Sequence, residues 1–388
     1  MMPDKSHIPR DLGARILARL KPGKAALIFG ARRVGKTVLI NQITRQWQGR
    51  SLMLNGEDYD ARALLEHASI ANYRRILEGI SLLVLDEAQA IPDIGQKIKL
   101  MVDEVPGLAV IASGSSSFDL YNKTGEPLVG RSFQFRLGPF AQTELAALET
   151  PLETRRNLET RLVYGSYPEV VLMENSGQRE EYLREIINAY LFKDILALDG
   201  LKNPSKLQNL CRLIAFQTGS EVSCDELGRQ LGLSRNTVEK YLDILSKVFV
   251  VFHLGAYARN LRKEVAKAGK WYFCDTGIRN ALIGNFEPPA LRQDTGALWE
   301  NYLINERIKN SYNSGESRNF YFWRTYDQQE IDLVEESGAA VSAFEFKWGN
   351  KEPRVPPAFS KAYPQASYRV INRDNYEEFI LSRMEDPG

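Results

Sequence analysis

The sequence predicts a multidomain α/β protein. Three observations carry that expectation. An apolar run, Ala25–Phe29, leads into a glycine-containing loop and then into Val38, Leu39, Ile40, Ile43 and Trp47, which recur at helical spacing. A second apolar run, residues 80–85, reads as a strand buried on both faces, as in a parallel sheet, and residues 108–112 are a third strand candidate. The length of 388 residues suggests two to four domains rather than one.

The loop after the first run is Gly30-Ala31-Arg32-Arg33-Val34-Gly35-Lys36-Thr37, a full match to G-x-x-x-x-G-K-[ST]. Its glycines let the backbone wrap closely around phosphates. The amides of the turn and the positive end of the following helix favour a polyanion. Lys36 is placed to reach the β- and γ-phosphates, and the Thr37 hydroxyl to ligate Mg²⁺. ATP is therefore the expected ligand of 30–37. The second run ends in Asp86-Glu87. Asp86 is expected in the Mg²⁺ shell. Glu87 is expected to orient and deprotonate the attacking water, since a pair of acids points to hydrolysis rather than binding alone.

The third run ends in Ser113-Gly114-Ser115-Ser116-Ser117. Ser113 and Ser115 are candidates to touch the γ-phosphate. The alternative for this stretch is a plain helix N-cap at Ser116 or Ser117. Gly130-Arg131 stands just before the alternating stretch Phe133-Gln134-Phe135-Arg136-Leu137. Arg131 can point out of the subunit toward a neighbour's γ-phosphate, which would make the protein a homo-oligomer. The plainer alternative is a local ion pair.

Composition sets limits. With 44% apolar and 26% charged residues the chain resembles an ordinary globular protein. Its net charge of +1 gives no global pull toward nucleic acid, so any basic surface must be local. No apolar run nears the roughly twenty residues that span a membrane, and the start lacks a signal-peptide core. Cys211, Cys224 and Cys274 are scattered, which fits neither a disulfide framework nor a metal cluster. Three histidines make a His-based zinc site unexpected. A cytoplasmic, reduced protein without a membrane partner is the expectation.

After Pro139-Phe140 the pattern turns helical, with apolar spacing over 143–148, 155–164 and 180–198, broken at Gly165-Ser166-Tyr167-Pro168. This reads as a helical lid. Ser223 can cap a helix over 224–231, with Glu226 completing a capping box. Gly232-Leu233 turns, and Ser234 caps a second helix over 235–247. That is a helix-turn-helix whose exposed second helix offers Arg235, Asn236, Thr237 and Lys240 to DNA. An apolar strand, 248–252, follows. Then Arg259, Arg262, Lys263, Lys267 and Lys270 form a basic loop before the strand 271–273, an order that describes a winged helix. Protein docking is the competing use of the same module.

The last third reads as helix 298–306, strands 320–324, 330–335 and 341–348, helix 358–363 and strand 367–371, with a hairpin turn at Glu336-Ser337-Gly338. That αβββαβ order is the core topology of PD-(D/E)XK nucleases. Glu300 lies on the first helix and Asp332 on the second strand. Glu345 and Lys347 share one face of the third strand. The three acids would hold a second Mg²⁺ or Mn²⁺, and Lys347 would position or activate water for phosphodiester cleavage. A nuclease-like fold kept for binding alone is the alternative.

Over residues 10–375 the chain resembles a prokaryotic family of AAA+-type P-loop ATPases with a C-terminal domain of unknown function. Arg32 gives the loop that family's G-x-R-x-x-G-K-T form. Leu85-Asp86-Glu87-Ala88-Gln89, Ser113-Gly114-Ser115-Ser116, Gly130-Arg131 and Gly138-Pro139-Phe140 are similar to its core motifs. Phe273-Cys274-Asp275-Thr276-Gly277 and Glu300-Asn301 are similar to its C-terminal ones. Gly165-Ser166-Tyr167-Pro168 departs from the family's usual Gly-Gly-Tyr-Pro. The resemblance implies an ATPase core over 1–140, a helical lid over 141–204, a winged helix over 205–270 and a nuclease-like domain over 271–388. The resemblance names no substrate; taken with the residues above, an ATP-dependent, DNA-directed ATPase with an attached metal-dependent nuclease is the expected activity. A nucleotide-switched binding protein and an assembly scaffold are the alternatives.

Overall fold

The computed structural model describes residues 8–115, 128–188, 203–258 and 269–381. The chain forms two compact units. One comprises His7–Pro139 with Lys247–Phe249, and the other chiefly Phe140–Ser246 and Val250–Gly388.

In the first unit, helix α1 (Asp11–Arg19) precedes β1 (Ala25–Phe29) and α2 (Lys36–Gln46). Then come β2 (Ser51–Asn55), α3 (Tyr59–Glu66), α4 (Ile70–Ile76), β3 (Leu82–Asp86), α5 (Ile94–Glu104), β4 (Ala109–Gly114) and β5 (Ser132–Arg136). The five strands make one parallel sheet in the order β2-β3-β4-β1-β5. Every residue of β1, β3 and β4 is buried, which is why they read as unbroken apolar runs. Strand β2 lies at the sheet edge and is half exposed, so its sequence carries no such run. The phosphate-type loop leaves the carboxyl end of β1. Asp86 and Ser113 end β3 and approach the end of β4 on the same edge, where ligands bind in open parallel sheets.

The second unit opens with α6 (Gln142–Ala146), α7 (Pro151–Tyr164), α8 (Pro168–Leu172) and α9 (Ser176–Glu185). Helix α7 starts with a reciprocal capping box between Thr150 and Glu153 and carries Pro151 in its first turn. Helices α10 (Pro204–Phe216), α11 (Cys224–Leu231) and α12 (Arg235–Lys247) follow. Ser223 caps α11 through the Glu226 amide, and Gly232 ends it in the left-handed region at φ 60°.

The strand after α12 begins later than the apolar run suggests. It is β6 (Val251–Ala256), which pairs antiparallel with β7 (Lys270–Phe273). The pair is no free-standing wing. Through Gly255 and Ala256, β6 pairs parallel with β8 (Asn319–Arg324). With β9 (Glu330–Ser337), β10 (Ala340–Phe346) and β11 (Ser367–Ile371) they form a single six-stranded sheet, ordered β11-β10-β9-β8-β6-β7. The division expected at 270 therefore falls on the first residue of β7, inside that sheet. Among the described residues the later α-helices are α13 (Thr276–Ile283), α14 (Thr295–Ser314), α15 (Pro357–Ala362) and α16 (Tyr376–Leu381). Gly338 makes the β9–β10 turn at φ 59°.

Helix α14 is buried over most of its length, polar residues included. Apart from the Trp299 indole N–H, which is buried without a hydrogen-bond partner, its polar side chains are paired, as buried polar groups tend to be. Asn301 clamps both the amide and the carbonyl of Phe273, and Asn305 donates to Cys274 O. Arg307 makes a fork-to-fork pair with Glu335 of β9, at 2.6 and 3.0 Å.

Candidate functional site

At the edge of the parallel sheet the chain builds a cradle. Gly30 follows β1 where there is no room for a side chain: a Cβ would sit 2.2 Å from Leu137 O. Gly35 turns the loop into α2 at φ 93°, a conformation that favours glycine. Lys36 is 6% exposed, and its ammonium donates to Gly30 O at 2.9 Å and Ala31 O at 3.0 Å. Burial lowers the Lys36 pKa to about 8, against the pull of Glu87 and Asp86 and with a further push from Arg32.

Thr37 Oγ1 donates to Asp86 Oδ2 at 2.7 Å. These two oxygens, from α2 and β3, are hard donors side by side at the mouth of the loop, a fit for Mg²⁺ completed by phosphate and water. Glu87 follows at φ 46°, an uncommon region for a side-chain-bearing residue. Gln89 donates to Glu87 Oε2 at 2.6 Å and reaches Ser115 Oγ at 3.5 Å.

Ser113 is occupied by the acid of the neighbouring strand. It is fully buried, and its hydroxyl donates to Asp86 Oδ1. Strand β4 lies between β1 and β3, which puts Ser113 beside the Asp86 carboxylate. Arg131 pairs with Asp103 at 2.7 Å, the local ion pair of the plainer reading. Ser116 and Ser117 lie outside the described residues.

The second unit gathers a different cluster. Antiparallel pairing sets Phe344 opposite Leu333, so one step on Glu345 comes opposite Asp332, on the same face. Asp332 accepts from the Phe346 amide at 2.7 Å, and Lys347 donates to Glu345 at 2.6 Å. Glu300 accepts from Tyr272 OH at 2.6 Å and from Lys270 at 3.2 Å. Lys270, 1% exposed, also pairs with Glu330. Burial, then Glu300 and Glu345, pushes the Asp332 carboxyl well above the usual range. Against burial, Glu300, Glu330 and Asp332 hold the Lys270 pKa above its ordinary value.

Two expectations change here. Lys270 is no wing cation for DNA; it is the internal counter-ion of these acids. Glu300, Asp332 and Glu345 do not converge on one point as a ligand set. Among the described residues no group of three or more His, Cys, Asp or Glu side chains is arranged to hold a metal ion. The reason is local: Glu300 is turned to Lys270 and Tyr272, and Asp332 to a backbone amide. The placed side chains do not fit a metal there. The other expected wing cations, Arg259, Arg262, Lys263 and Lys267, lie outside the described residues. On α12, Arg235 is exposed but bonded to Glu239 at 2.7 Å and near Asp225 at 3.4 Å.

Sequence reasoning passed over Arg10, Gln89, Tyr272 and Glu330. A signal existed for two of them. Glu330 is two residues from Asp332, and Tyr272 two from Lys270, so strand alternation puts each pair on one face.

The core, its loop and the Thr37–Asp86 contact have the form of a P-loop domain. Residues 22–146 match the family model described as an AAA domain. Residues 155–288 and 295–383 match two domains of unknown function, DUF8612 and DUF4143. The uncharacterized protein Rv2008c of Mycobacterium tuberculosis is 27% identical over 344 residues, 87% of this chain and 73% of that protein. The uncharacterized protein MJ1544 of Methanocaldococcus jannaschii is 21% identical over 394 residues, 97% of this chain and 85% of that one. The Thermotoga maritima RuvB Holliday junction branch migration motor aligns with a TM-score of 0.30 at 16% identity. It covers 65% of this chain and 87% of that one, too loose a likeness to argue from. No helix among the described residues is long and apolar enough to cross a membrane.

Proposed function

We propose that the chain binds ATP with Mg²⁺ and hydrolyses it, and that this turnover is coupled to DNA contact by the second unit. The observation that carries the reading is the contact of Thr37 with Asp86 at the mouth of the 30–37 loop, with Lys36 inside and Glu87 next in line. Loop amides and Lys36 bind the β- and γ-phosphates. Thr37 and Asp86 would hold the ion, which would screen phosphate charge when bound. Ser113 fixes the Asp86 carboxylate through its hydroxyl. Glu87 takes the proton of the attacking water, and Arg131 stabilises charge on a neighbour's γ-phosphate after leaving Asp103. DNA contact is assigned to α11–α12, through Arg235 and Lys240. The α14–β8–β9–β10–α15–β11 order supports a PD-(D/E)XK-like fold used for binding. No cleavage step is assigned to it, because Lys270 stands among its acids.

The deciding experiment is ATP hydrolysis with and without single- and double-stranded DNA, in Mg²⁺ or Mn²⁺, with DNA integrity read in the same tubes. Turnover lost in both Lys36→Ala and Glu87→Gln, with ATP retained by Glu87→Gln, is expected. Normal hydrolysis by Glu87→Gln would remove its role. Metal-dependent cleavage lost in Asp332→Ala would restore the nuclease reading.

A second reading has its own observation. Gln89 donates to Glu87 Oε2, so one carboxylate oxygen is engaged by an amide instead of a water. A slow, nucleotide-switched binding protein would be built this way. Gln89→Ala then raises the hydrolysis rate; a fall assigns Gln89 to positioning Glu87 for fast turnover.

A further inference from the structure

Arg10 lies twenty residues ahead of the loop and belongs to no motif. It is 7% exposed, just before α1. Its Nη1 donates to Val34 O at 2.9 Å, and its Nη2 donates to Gly138 O at 2.7 Å. One guanidinium thus joins the phosphate loop to the stretch where the chain leaves β5. The same stretch touches the loop elsewhere. Leu137 N donates to Phe29 O, and Leu137 O stands where a Cβ on Gly30 would fall.

The bond to Val34 O has a directional consequence. A trans peptide is planar, so its N–H points opposite to its C=O. With the Val34 carbonyl drawn outward to Arg10, the Gly35 N–H is turned to the other side of the loop, where phosphate oxygens are met. A lysine could not hold both carbonyls in one plane, whereas the guanidinium fork can.

We propose that Arg10 is a positioning residue of the nucleotide site. It fixes the Val34–Gly35 peptide so that its amide faces the phosphates, and it ties that peptide to Gly138. The role rests on 30–37 being the ATP site. It also gives Gly138-Pro139-Phe140 a use: Gly138 anchors the loop through Arg10.

The test compares ATP binding by wild type, Arg10→Ala, Arg10→Lys, Leu12→Ala and Lys36→Ala, with melting temperatures for each. Leu12 is 1% exposed on α1 and touches neither carbonyl in this way, so Leu12→Ala reports destabilisation of the same segment alone. Arg10→Ala should weaken ATP binding about ten-fold, the effect of one or two lost charge-assisted bonds. Arg10→Lys should fall between, and Leu12→Ala should keep wild-type affinity at a comparable loss of melting temperature. Equal affinity losses in Arg10→Ala and Leu12→Ala at matched stability would overturn the proposal. So would wild-type, Lys36-dependent affinity in a folded Arg10→Ala. If wild type binds ATP no better than Lys36→Ala, the site itself is wrong and Arg10's role falls with it.

Discussion

Lys36 shows how one residue ties burial to function. Enclosed in the loop, it has a pKa lowered to about 8, chiefly by burial. Triphosphate oxygens favour its protonated form, so bound ATP must raise that value. The sign follows. Below pH 7 the ammonium is already charged and affinity does not depend on this group. Above pH 8 binding must take up a proton, and the dissociation constant for ATP should rise by up to about ten-fold per pH unit. Titration of ATP between pH 6.5 and 9.5, in two buffers of different ionisation enthalpy, reads both the slope and the proton uptake. A flat affinity across that range would show that Lys36 does not meet the phosphates. The identity of Lys36, Thr37 and Asp86 as a group was legible from motif spacing, since the loop and the acidic strand end are both local patterns. Ser113's partner was not. Whether a strand-end serine faces outward or toward a neighbouring strand depends on strand order, and β4 standing between β1 and β3 is a long-range fact.

At the scale of elements, two of the short motifs turn out to be one joint. Asp275 caps α13 through the Ile278 amide and also accepts from Ser166 N at 2.8 Å. Gly165 is at φ 73°, and a Cβ there would lie 2.0 Å from Asp275 Oδ1. Gly277 is equally confined, with a Cβ position 2.0 Å from Tyr164 O. The turn Gly165-Ser166-Tyr167-Pro168 and the run Asp275-Thr276-Gly277 interlock through the Asp275 carboxylate and the close approach of Gly277 to Tyr164 O. The change from Gly to Ser at 166 is tolerated because that residue contributes its amide. Gly165→Ala should destabilise the protein by about 2–4 kcal/mol in urea unfolding, from backbone strain plus a clash with a buried carboxyl. A loss below 0.5 kcal/mol would show that the turn can move aside. Helix α12 bears on DNA contact at the same scale. Its Arg235 is already bonded to Glu239, so any DNA affinity should be modest and fall with salt. Arg235→Glu with Lys240→Glu should weaken it for all sequences alike, in fluorescence anisotropy at 50 mM and 200 mM salt. Unchanged binding assigns the helix pair to protein docking.

For the whole molecule, the proposed action of Arg131 on a neighbour requires assembly. Arg131→Ala and Lys36→Ala proteins should each be inactive alone and regain part of the ATPase rate when mixed. Co-assembled mixtures without rescue, or a fully active monomer, leave Arg131 as the partner of Asp103. Acid sensitivity is expected from Asp294. Burial raises its pKa, but Arg292 and Arg279 more than offset this and hold it well below the usual range. A depressed carboxylate stabilises the fold above its unfolded pKa, near 4, and that contribution is lost as pH falls toward the folded value. Asp294→Asn should therefore lower the melting temperature at pH 7 and shrink its fall between pH 4 and 2. An unchanged acid limb would assign the sensitivity to other carboxylates.

The division between sequence and tertiary structure follows the range of the forces. The buried strands β1, β3 and β4, the loop over 30–37, the serine caps of α11 and α12, and the α14-to-β11 order are written in patterns within a few residues. Periodicity and turn chemistry report these directly. Lys270 is the clearest case of the opposite. As text it closes a basic loop and reads as a surface cation. In the fold β6 pairs with β8, which brings β7 against α14. Lys270 is then carried into the cluster of Glu300, Glu330 and Asp332. No local pattern encodes that pairing. It is decided by which surfaces are buried together, and an ion's role follows from the charges it is buried with.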